Sequence, residues 1–153
     1  LFGALPPWNT FWQAVSDLPV DDTEHAGISK KRAGYLALVP PGGNWYQLPE
    51  DVAEEAMGGA FRGGGGRMGF YRRLEWDGPS PTVVTSPSQA ATMFCHPESV
   101  RSLTVREYKR VQGFPDDWEL PGGIAAKYRL IGNAVPVHLS TAIAAHLQRL
   151  IKS

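Results

Sequence analysis

The stretch RSLTVREYKRVQGFP, residues 101–115, decides how the last third of this chain folds. Thr104 and Glu107 stand three positions apart, as in a helical capping box, where each side chain binds the other residue's backbone N–H. Gly113 and Pro115 then favour termination of the helix. The segment therefore predicts a short helix with both ends encoded locally. One face of this helix carries Val105, Tyr108 and Val111.

Two more helices are predicted downstream. The first covers residues 124–131 and ends at Gly132, and Pro136 then stands at the first position of a helix that reaches the C-terminus. That last helix is amphipathic, because apolar residues recur at helical spacing. They are Val137, Leu139, Ile143, Ala144, Leu147, Leu150 and Ile151.

The earlier part of the chain predicts short elements joined by loops. Helices are expected over residues 11–18, 30–38 and 49–57. Alternating and β-branched stretches predict short strands at residues 71–76, 82–85 and 92–95. The predicted fold class is α+β, with a small loop-rich β region followed by C-terminal helices.

Composition limits the classes of protein to consider. The 153 residues suffice for one domain with a buried core, and 17 glycines with 13 prolines predict many turns. Because the net charge is zero, any nucleic-acid contact must come from a local basic patch. A single cysteine excludes a disulfide framework and fits the cytoplasm, and we expect no membrane span. The start at Leu1 rather than Met leads us to expect a piece or a subunit.

The loop Gly132-Asn133-Ala134 is the first candidate binding site. Small residues and an amide side chain before a helix N-terminus expose backbone N–H groups that could bind a carboxylate or a ribose. An ordinary turn between two helices is the alternative.

A basic cluster is the second candidate. Arginines at four nearby positions lie beside Tyr71 and Trp76 and follow a glycine-rich run at residues 58–69. Guanidinium groups on such a scaffold suit contacts with DNA phosphates and base edges, whereas a solvated surface is the alternative. The four are Arg62, Arg67, Arg72 and Arg73.

The remaining reactive residues do not predict an active site. Cys95 and His96 are adjacent, and adjacent residues on a strand point to opposite faces, so a buried thiol is expected rather than a nucleophile with its base. The four histidines lack metal-ligand spacing, and no metal site is predicted. No phosphate-binding glycine loop or nucleophile elbow occurs.

Four segments together resemble the C-terminal part of bacterial DNA (cytosine-5)-methyltransferases. The last two of them look like that family's ninth and tenth conserved motifs. Two earlier stretches, AVSDLP (14–19) and LVPPGGNW (38–45), look like the lead into its target-recognition region and part of it. The four segments are GFYRRLEWDGPSPTV (69–83), CHPE (95–98), RSLTVREYKRVQGFP (101–115) and YRLIGNAVP (128–136).

The resemblance implies a division of the chain. Residues 1–28 would connect to a catalytic domain, residues 29–120 would form the target-recognition domain, and residues 121–153 would complete the S-adenosylmethionine-binding domain. Asn133, Ala134 and Val135 would contact that cofactor. The C-terminal helices would dock on an α/β domain outside this sequence, so we expect the last helix to expose its apolar face.

The resemblance also implies the partners. Double-stranded DNA would be contacted by the basic cluster, by Tyr71 and by the Thr82-Val83 dipeptide near the flipped cytosine. The ninth motif would be scaffold, with Arg106, Glu107 and Arg110 in a charge network. Other implied partners are a catalytic N-terminal subunit or domain and a cognate restriction endonuclease, in the cytoplasm at the bacterial nucleoid.

The catalytic motifs of the family are missing from these residues. In the family a cysteine attacks C6 of the flipped cytosine, a glutamate holds N3, and C5 then takes the methyl group. Here no Pro-Cys dipeptide occurs, since Cys95 follows Phe94. The predicted function is therefore the recognition and cofactor-completing part of such an enzyme, inactive alone. The alternatives are a non-catalytic sequence-specific DNA-binding module and, less consistent with the basic cluster, a ligand- or protein-binding domain.

Overall fold

The computed structural model describes residues 7–19, 21–63 and 67–152, with the backbone alone for residue 67. These ranges contain six α-helices and two short strands. The helices are α1 (Phe11–Val15), α2 (Lys30–Leu38), α3 (Glu50–Met57), α4 (Val105–Gln112), α5 (Ile124–Asn133) and α6 (Val137–Lys152), and the strands are β1 (Arg72–Arg73) and β2 (Phe94–Cys95).

Helix α4 has the ends that its sequence predicts. The Glu107 backbone N–H donates to Thr104 Oγ1 at 3.1 Å, and the Thr104 N–H donates to Glu107 Oε2 at 2.7 Å. Gly113 ends the helix with a φ of 81°, a left-handed conformation that glycine adopts without steric cost. The capping-box prediction is confirmed. Helix α5, by contrast, continues through Gly132 to Asn133.

The β region is smaller than predicted. Strands β1 and β2 pair in parallel, with Arg72 opposite Phe94 and Arg73 opposite Cys95. The predicted strand at residues 82–85 is wrong, since no strand forms there. The backbone of Val84 and Thr85 lies against α5 instead of against another strand. Mixed helix and short strands are nevertheless compatible with the α+β class.

Two clusters of buried side chains form the core. One packs α1, α4 and α5 together around Phe11, Tyr108 and Ile131, and so joins residues from all three predicted regions of the chain. The other lies under α2 and α3. In the first cluster, the Tyr128 hydroxyl donates to the Leu103 carbonyl at 2.6 Å and accepts from the Ala26 N–H at 3.2 Å. The division into 1–28, 29–120 and 121–153 stays a prediction.

Helix α6 buries none of its side chains. Leu139, Ile143 and Leu147 are each about half exposed, and Ile151 is 85% exposed. The predicted exposure of its apolar face is confirmed. Helices α5 and α6 together have the length and composition of one membrane span, with a mean hydropathy of 1.3. The helix is interrupted at residues 134–136, and α6 alone is about 24 Å long, short of a ~30 Å hydrocarbon core.

Candidate functional site

The loop between α5 and α6 is held by one buried side chain. Gln112 Nε2 donates to the carbonyl oxygens of Ile131, at 3.1 Å, and Ala134, at 2.7 Å. The last carbonyls of a helix lack intrahelical partners, so the amide of Gln112 satisfies groups that water would otherwise bind. The path of the loop is thereby fixed against α4.

Gly132 brings α5 into direct contact with the segment at residues 84–85. A Cβ placed on Gly132 would lie 2.5 Å from the carbonyl carbon of Val84 and 2.6 Å from the nitrogen of Thr85. Those neighbours are backbone atoms, which cannot rotate away as a side chain can. Only glycine fits this position without moving the backbone.

This contact places two predicted site segments in one concavity. A hollow of about 290 Å³ is lined by Thr82 and Val83 on one side and by Gly132 and Ala134 on the other. Thr82 is exposed, whereas Val83 is 6% exposed and belongs to the core. The structure therefore brings Ala134 of the predicted cofactor loop beside the predicted DNA-contacting dipeptide, whereas Asn133 and Val135 do not line this hollow.

The three residues predicted to bind the cofactor differ in exposure. Asn133 and Val135 are exposed to solvent, and Ala134 is partly covered. The Ala134 N–H donates to the Ile131 carbonyl at 3.1 Å, and its own carbonyl accepts from Gln112. Ala134 thus has its backbone groups in internal hydrogen bonds, whereas Asn133 keeps an exposed amide side chain for a ligand.

The predicted basic cluster separates into unlike environments. Arg62 is highly exposed and forms an ion pair with Glu54, 2.6 Å between Nη2 and Oε1. The side chain of Arg67 lies outside the described part of the chain. Tyr71 is buried at a φ of 48°, and its hydroxyl donates to the Ala56 carbonyl at 3.0 Å. The Tyr71 ring therefore belongs to the core and not to the surface.

Arg72 and Arg73 are neighbours in sequence but not in environment. Arg72 Nη2 donates to the Met68 carbonyl at 3.3 Å, and its guanidinium lies 6.0 Å from the centre of the Phe94 ring. Arg73 instead donates to four backbone carbonyls at 3.0–3.5 Å, and so joins α2 to the loop after β2. The four acceptors are Leu36, Val39, Pro97 and Glu98.

Comparisons with known proteins decide the family. Residues 42–149 match the C-5 cytosine-specific DNA methylase family. The chain belongs to this family. It is 49% identical over 135 residues to the type II methyltransferase M.Eco47II of Escherichia coli, covering 88% of this chain and 32% of that protein. It is 50% identical over 121 residues to the type II methyltransferase M.Sau96I of Staphylococcus aureus, covering 79% and 28%.

The similarity extends to a plant enzyme. The chain is 36% identical over 124 residues to DNA (cytosine-5)-methyltransferase 1B of Oryza sativa, covering 72% of the chain and 8% of that protein. The chain thus spans about a third of the length of the bacterial relatives that it matches. The C-5 cytosine methylases use S-adenosylmethionine as methyl donor.

In this methylase chain the ninth-motif segment is scaffold held by two ion-pair groups. Arg101 binds Glu107 through both carboxylate oxygens at 2.8 Å, and both side chains are largely buried. Arg110 binds Asp17, 2.9 Å from Nη2 to Oδ2, and Asp116, and these contacts lower the pKa of both carboxyl groups. Arg106 is exposed and forms no hydrogen bond in this network, but its charge helps to lower the pKa of the Asp116 carboxyl.

Cys95 lies in the interior of the methylase chain and does not face a site. Its side chain is fully buried, and burial raises the pKa of the thiol. His96 Nδ1 accepts backbone N–H groups of Glu98, at 3.2 Å, and Ser99, at 3.1 Å. The expectation of a buried thiol is confirmed. Among the residues that the structure describes, no three His, Cys, Asp or Glu side chains could share a metal ion.

Sequence reasoning missed two residues that position the candidate site of this methylase. Gln112 clamps the loop after α5, and Arg101 is the partner of Glu107. A polar residue just before the helix-ending Gly113 is a signal that could have pointed to Gln112, because carbonyls at helix ends need donors. The Arg101 pairing had no such signal, because it depends on how the chain turns before α4.

Proposed function

We propose that this chain is the DNA-recognition and cofactor-completing part of a DNA (cytosine-5)-methyltransferase of a bacterial restriction-modification system. The observation that carries the proposal is the concavity in which Thr82 lies beside Gly132 and Ala134. A methyl-transfer site must bring the target base to the methyl donor. In this chain the two segments proposed for those tasks meet in one place.

The exposed apolar face of α6 supports the proposal that another polypeptide surface covers this helix in the active enzyme. A 16-residue helix with no buried side chain gains little from tertiary packing, and isolated helices of that length are marginal in water. An apolar face of this extent is typical of an interaction site. We propose that it docks on the S-adenosylmethionine-binding domain carried by the remaining two thirds of the enzyme.

The cofactor loop has groups that suit its proposed task. The exposed amide of Asn133 offers a donor and an acceptor to a polar ligand, and the exposed Val135 side chain offers an apolar surface. Ala134 has a small side chain, and its carbonyl oxygen accepts a hydrogen bond from Gln112. Bound S-adenosylmethionine would supply the methyl group, while these residues would bind and orient it.

No residue of this chain is proposed to attack the cytosine. The only cysteine, Cys95, is buried, and its raised pKa disfavours the thiolate that a nucleophile needs. The attacking cysteine and the carboxylate at N3 of the flipped base would belong to the partner polypeptide. The assembly would act in the cytoplasm.

The DNA contacts are proposed for Arg72, Arg62 and Thr82, and also for Arg67, whose side chain lies outside the described residues. Arg73 and the Tyr71 ring are better explained as support, because their polar groups bind the chain itself. The Val83 side chain is buried in the core and so holds the adjacent Thr82 in place.

A mixing experiment tests the proposal. The 153-residue chain is combined with a polypeptide that carries the Pro-Cys motif and the glycine-rich cofactor loop, and transfer of labelled methyl from S-adenosylmethionine to duplex DNA is measured. Transfer by the mixture and by neither part alone is expected. Asn133→Ala should weaken S-adenosylmethionine binding by the mixture. Methyl transfer by the chain alone, or none by the mixture, would contradict the proposal.

The DNA contact is tested separately. Arg72→Ala should lower the affinity of the chain for duplex DNA and make it less sensitive to salt, as expected when one cationic contact with DNA is lost. Arg106→Ala removes the same charge from an exposed position on α4 and is the matched control. Equal effects of the two variants would show that total charge, and not the Arg72 site, carries the binding.

A further inference from the structure

A groove of about 240 Å³ beside β1 has features that phosphate binding does not explain. It is lined by Gly42, Met68, Arg72 and Glu75, among other residues. The Glu75 carboxylate is exposed, and it accepts no hydrogen bond and joins no ion pair among the residues that the structure describes. A carboxylate repels DNA phosphates, so a groove that merely followed the DNA backbone would gain by losing it.

The chain makes room for this carboxylate on two sides. A Cβ placed on Gly42 would lie 2.9 Å from Glu75 Oε2, and a Cβ placed on Gly78 would lie 2.4 Å from Glu75 Oε1. Gly42 has a φ of 77°, a conformation that other residues rarely adopt. Gly42 and Gly78, which have no side chains, thus lie on two sides of an acidic group that forms no ion pair among the described residues.

The backbone that presents Glu75 is fixed. The Gly42 N–H donates to the Leu74 carbonyl at 3.1 Å, so the loop at residue 42 is tied to the segment that carries Glu75. Leu74 is buried on one side of Glu75. On the other side, the Trp76 indole donates to Glu98 Oε1 at 2.9 Å. Recognition groups on such fixed backbone are placed more precisely than those on free loops.

Arg72 places a hydrogen-bond donor in the same groove as the Glu75 acceptor. Its guanidinium is a donor, and the nearby Arg73 cannot neutralise Glu75 readily because its own donors bind four carbonyls. In the major groove of DNA, a guanidinium matches guanine O6 and N7, and a carboxylate matches the N4 amino group of cytosine. A partly buried donor and an exposed acceptor that line the same groove therefore match the two halves of one base pair.

We infer that Glu75 determines sequence specificity by accepting a hydrogen bond from the N4 amino group of a cytosine, with Arg72 donating to guanine. The groove thus reads a G·C pair from the major-groove side. This assignment rests on the proposed DNA-recognition function and adds the class of base that is read.

Selection from a randomised 24-base-pair duplex pool, read by sequencing, tests this assignment. The wild-type chain should enrich cytosine at one position of its site. Glu75→Ala should lose roughly tenfold of that preference, the size of one good base contact, while binding the unselected pool more tightly. Glu75→Gln should move the preference from cytosine toward adenine, since a glutamine amide pairs with adenine N6 and N7.

The adjacent exposed acid gives the matched control. Asp77→Asn removes the same charge outside the groove lining, and it should tighten binding to the unselected pool without changing base preference. If both Glu75 variants keep the wild-type cytosine preference, the assignment is overturned while DNA recognition stands. If the wild-type chain binds no duplex, DNA recognition itself fails and the assignment falls with it. Thermal unfolding of each variant verifies that it is folded.

Discussion

Helices α5 and α6 follow one another in the chain, but only α5 has buried side chains. Both carry apolar residues at helical spacing. In α5, Tyr128 and Ile131 are at most 1% exposed and pack against α4. In α6 no side chain is buried, and Leu147 is 51% exposed.

This difference shows that an amphipathic pattern encodes an apolar face but not the surface that covers it. Hydrophobic stabilisation follows the apolar area removed from water, so we expect α5 to contribute more to the stability of this chain than the half-exposed α6 does. We expect the contribution of α6 to rise when another surface covers it.

Shortening one core side chain of α5 should have the largest effect. Ile131→Ala should lower the free energy of unfolding by about 2–5 kcal/mol, because it leaves a cavity at a fully buried position. Leu147→Ala in α6 should change it by less than about 0.5 kcal/mol. Urea unfolding followed by circular dichroism measures both. Equal losses would mean that α6 packs on the body of this chain.

Adding one methyl group at the end of α5 should have the next largest effect. Gly132→Ala should lower the free energy of unfolding by about 1–3 kcal/mol, because the new Cβ meets the backbone of Val84. Gly34→Ala in α2 is the control, since nothing lies within 4 Å of a Cβ there. That variant should gain about 0.5–1 kcal/mol from helix propensity. A neutral Gly132 variant would refute the close contact.

Acid should lower the free energy of unfolding of the chain. Burial, reinforced by Arg101, lowers the pKa of His96 below its ordinary 6.5. The unfolded chain therefore binds the proton first as the pH falls, and stability present above about pH 6.5 is lost toward the lower folded pKa. Urea midpoints measured at pH 7.5 and 5.5 should show this loss of stability. The His96→Asn variant keeps an acceptor for the backbone N–H groups and should make the stability less dependent on pH.

Polar residues on α6 should have the smallest effect on stability. Ile143→Ser with Leu147→Ser should leave the free energy of unfolding unchanged within about 0.5 kcal/mol, because both side chains are already half exposed. The same variant should bind less of a hydrophobic dye. A large drop in the midpoint would show that the apolar face of α6 is covered within this chain.

The elements with local signals were predictable. The capping box of α4, its terminal Gly113 and helix α2 all appear where the sequence indicates them. Residues 82–85 show the limit of that approach. β-branched residues favour a strand there, but the fold gives their backbone α5 as a neighbour, with Gly132 in contact. Strand formation needs a partner strand, and no local pattern supplies one.

The candidate site divides in the same way. The family resemblance indicated which segments matter, and residues 42–149 match the methylase family as the resemblance implies. It did not separate Arg72 from Arg73, because two adjacent arginines look alike until their acceptors are known.

From the sequence come the ends of α2 and α4, the apolar faces and the family, because these depend on residues a few positions apart or on motifs in a fixed order. Only the folded chain shows which face is covered, that Arg73 binds four backbone carbonyls, and that the Glu75 carboxylate lies between two glycines with no ion pair among the described residues. Those properties depend on distances between segments far apart in the chain, and packing sets such distances only after the whole chain has folded.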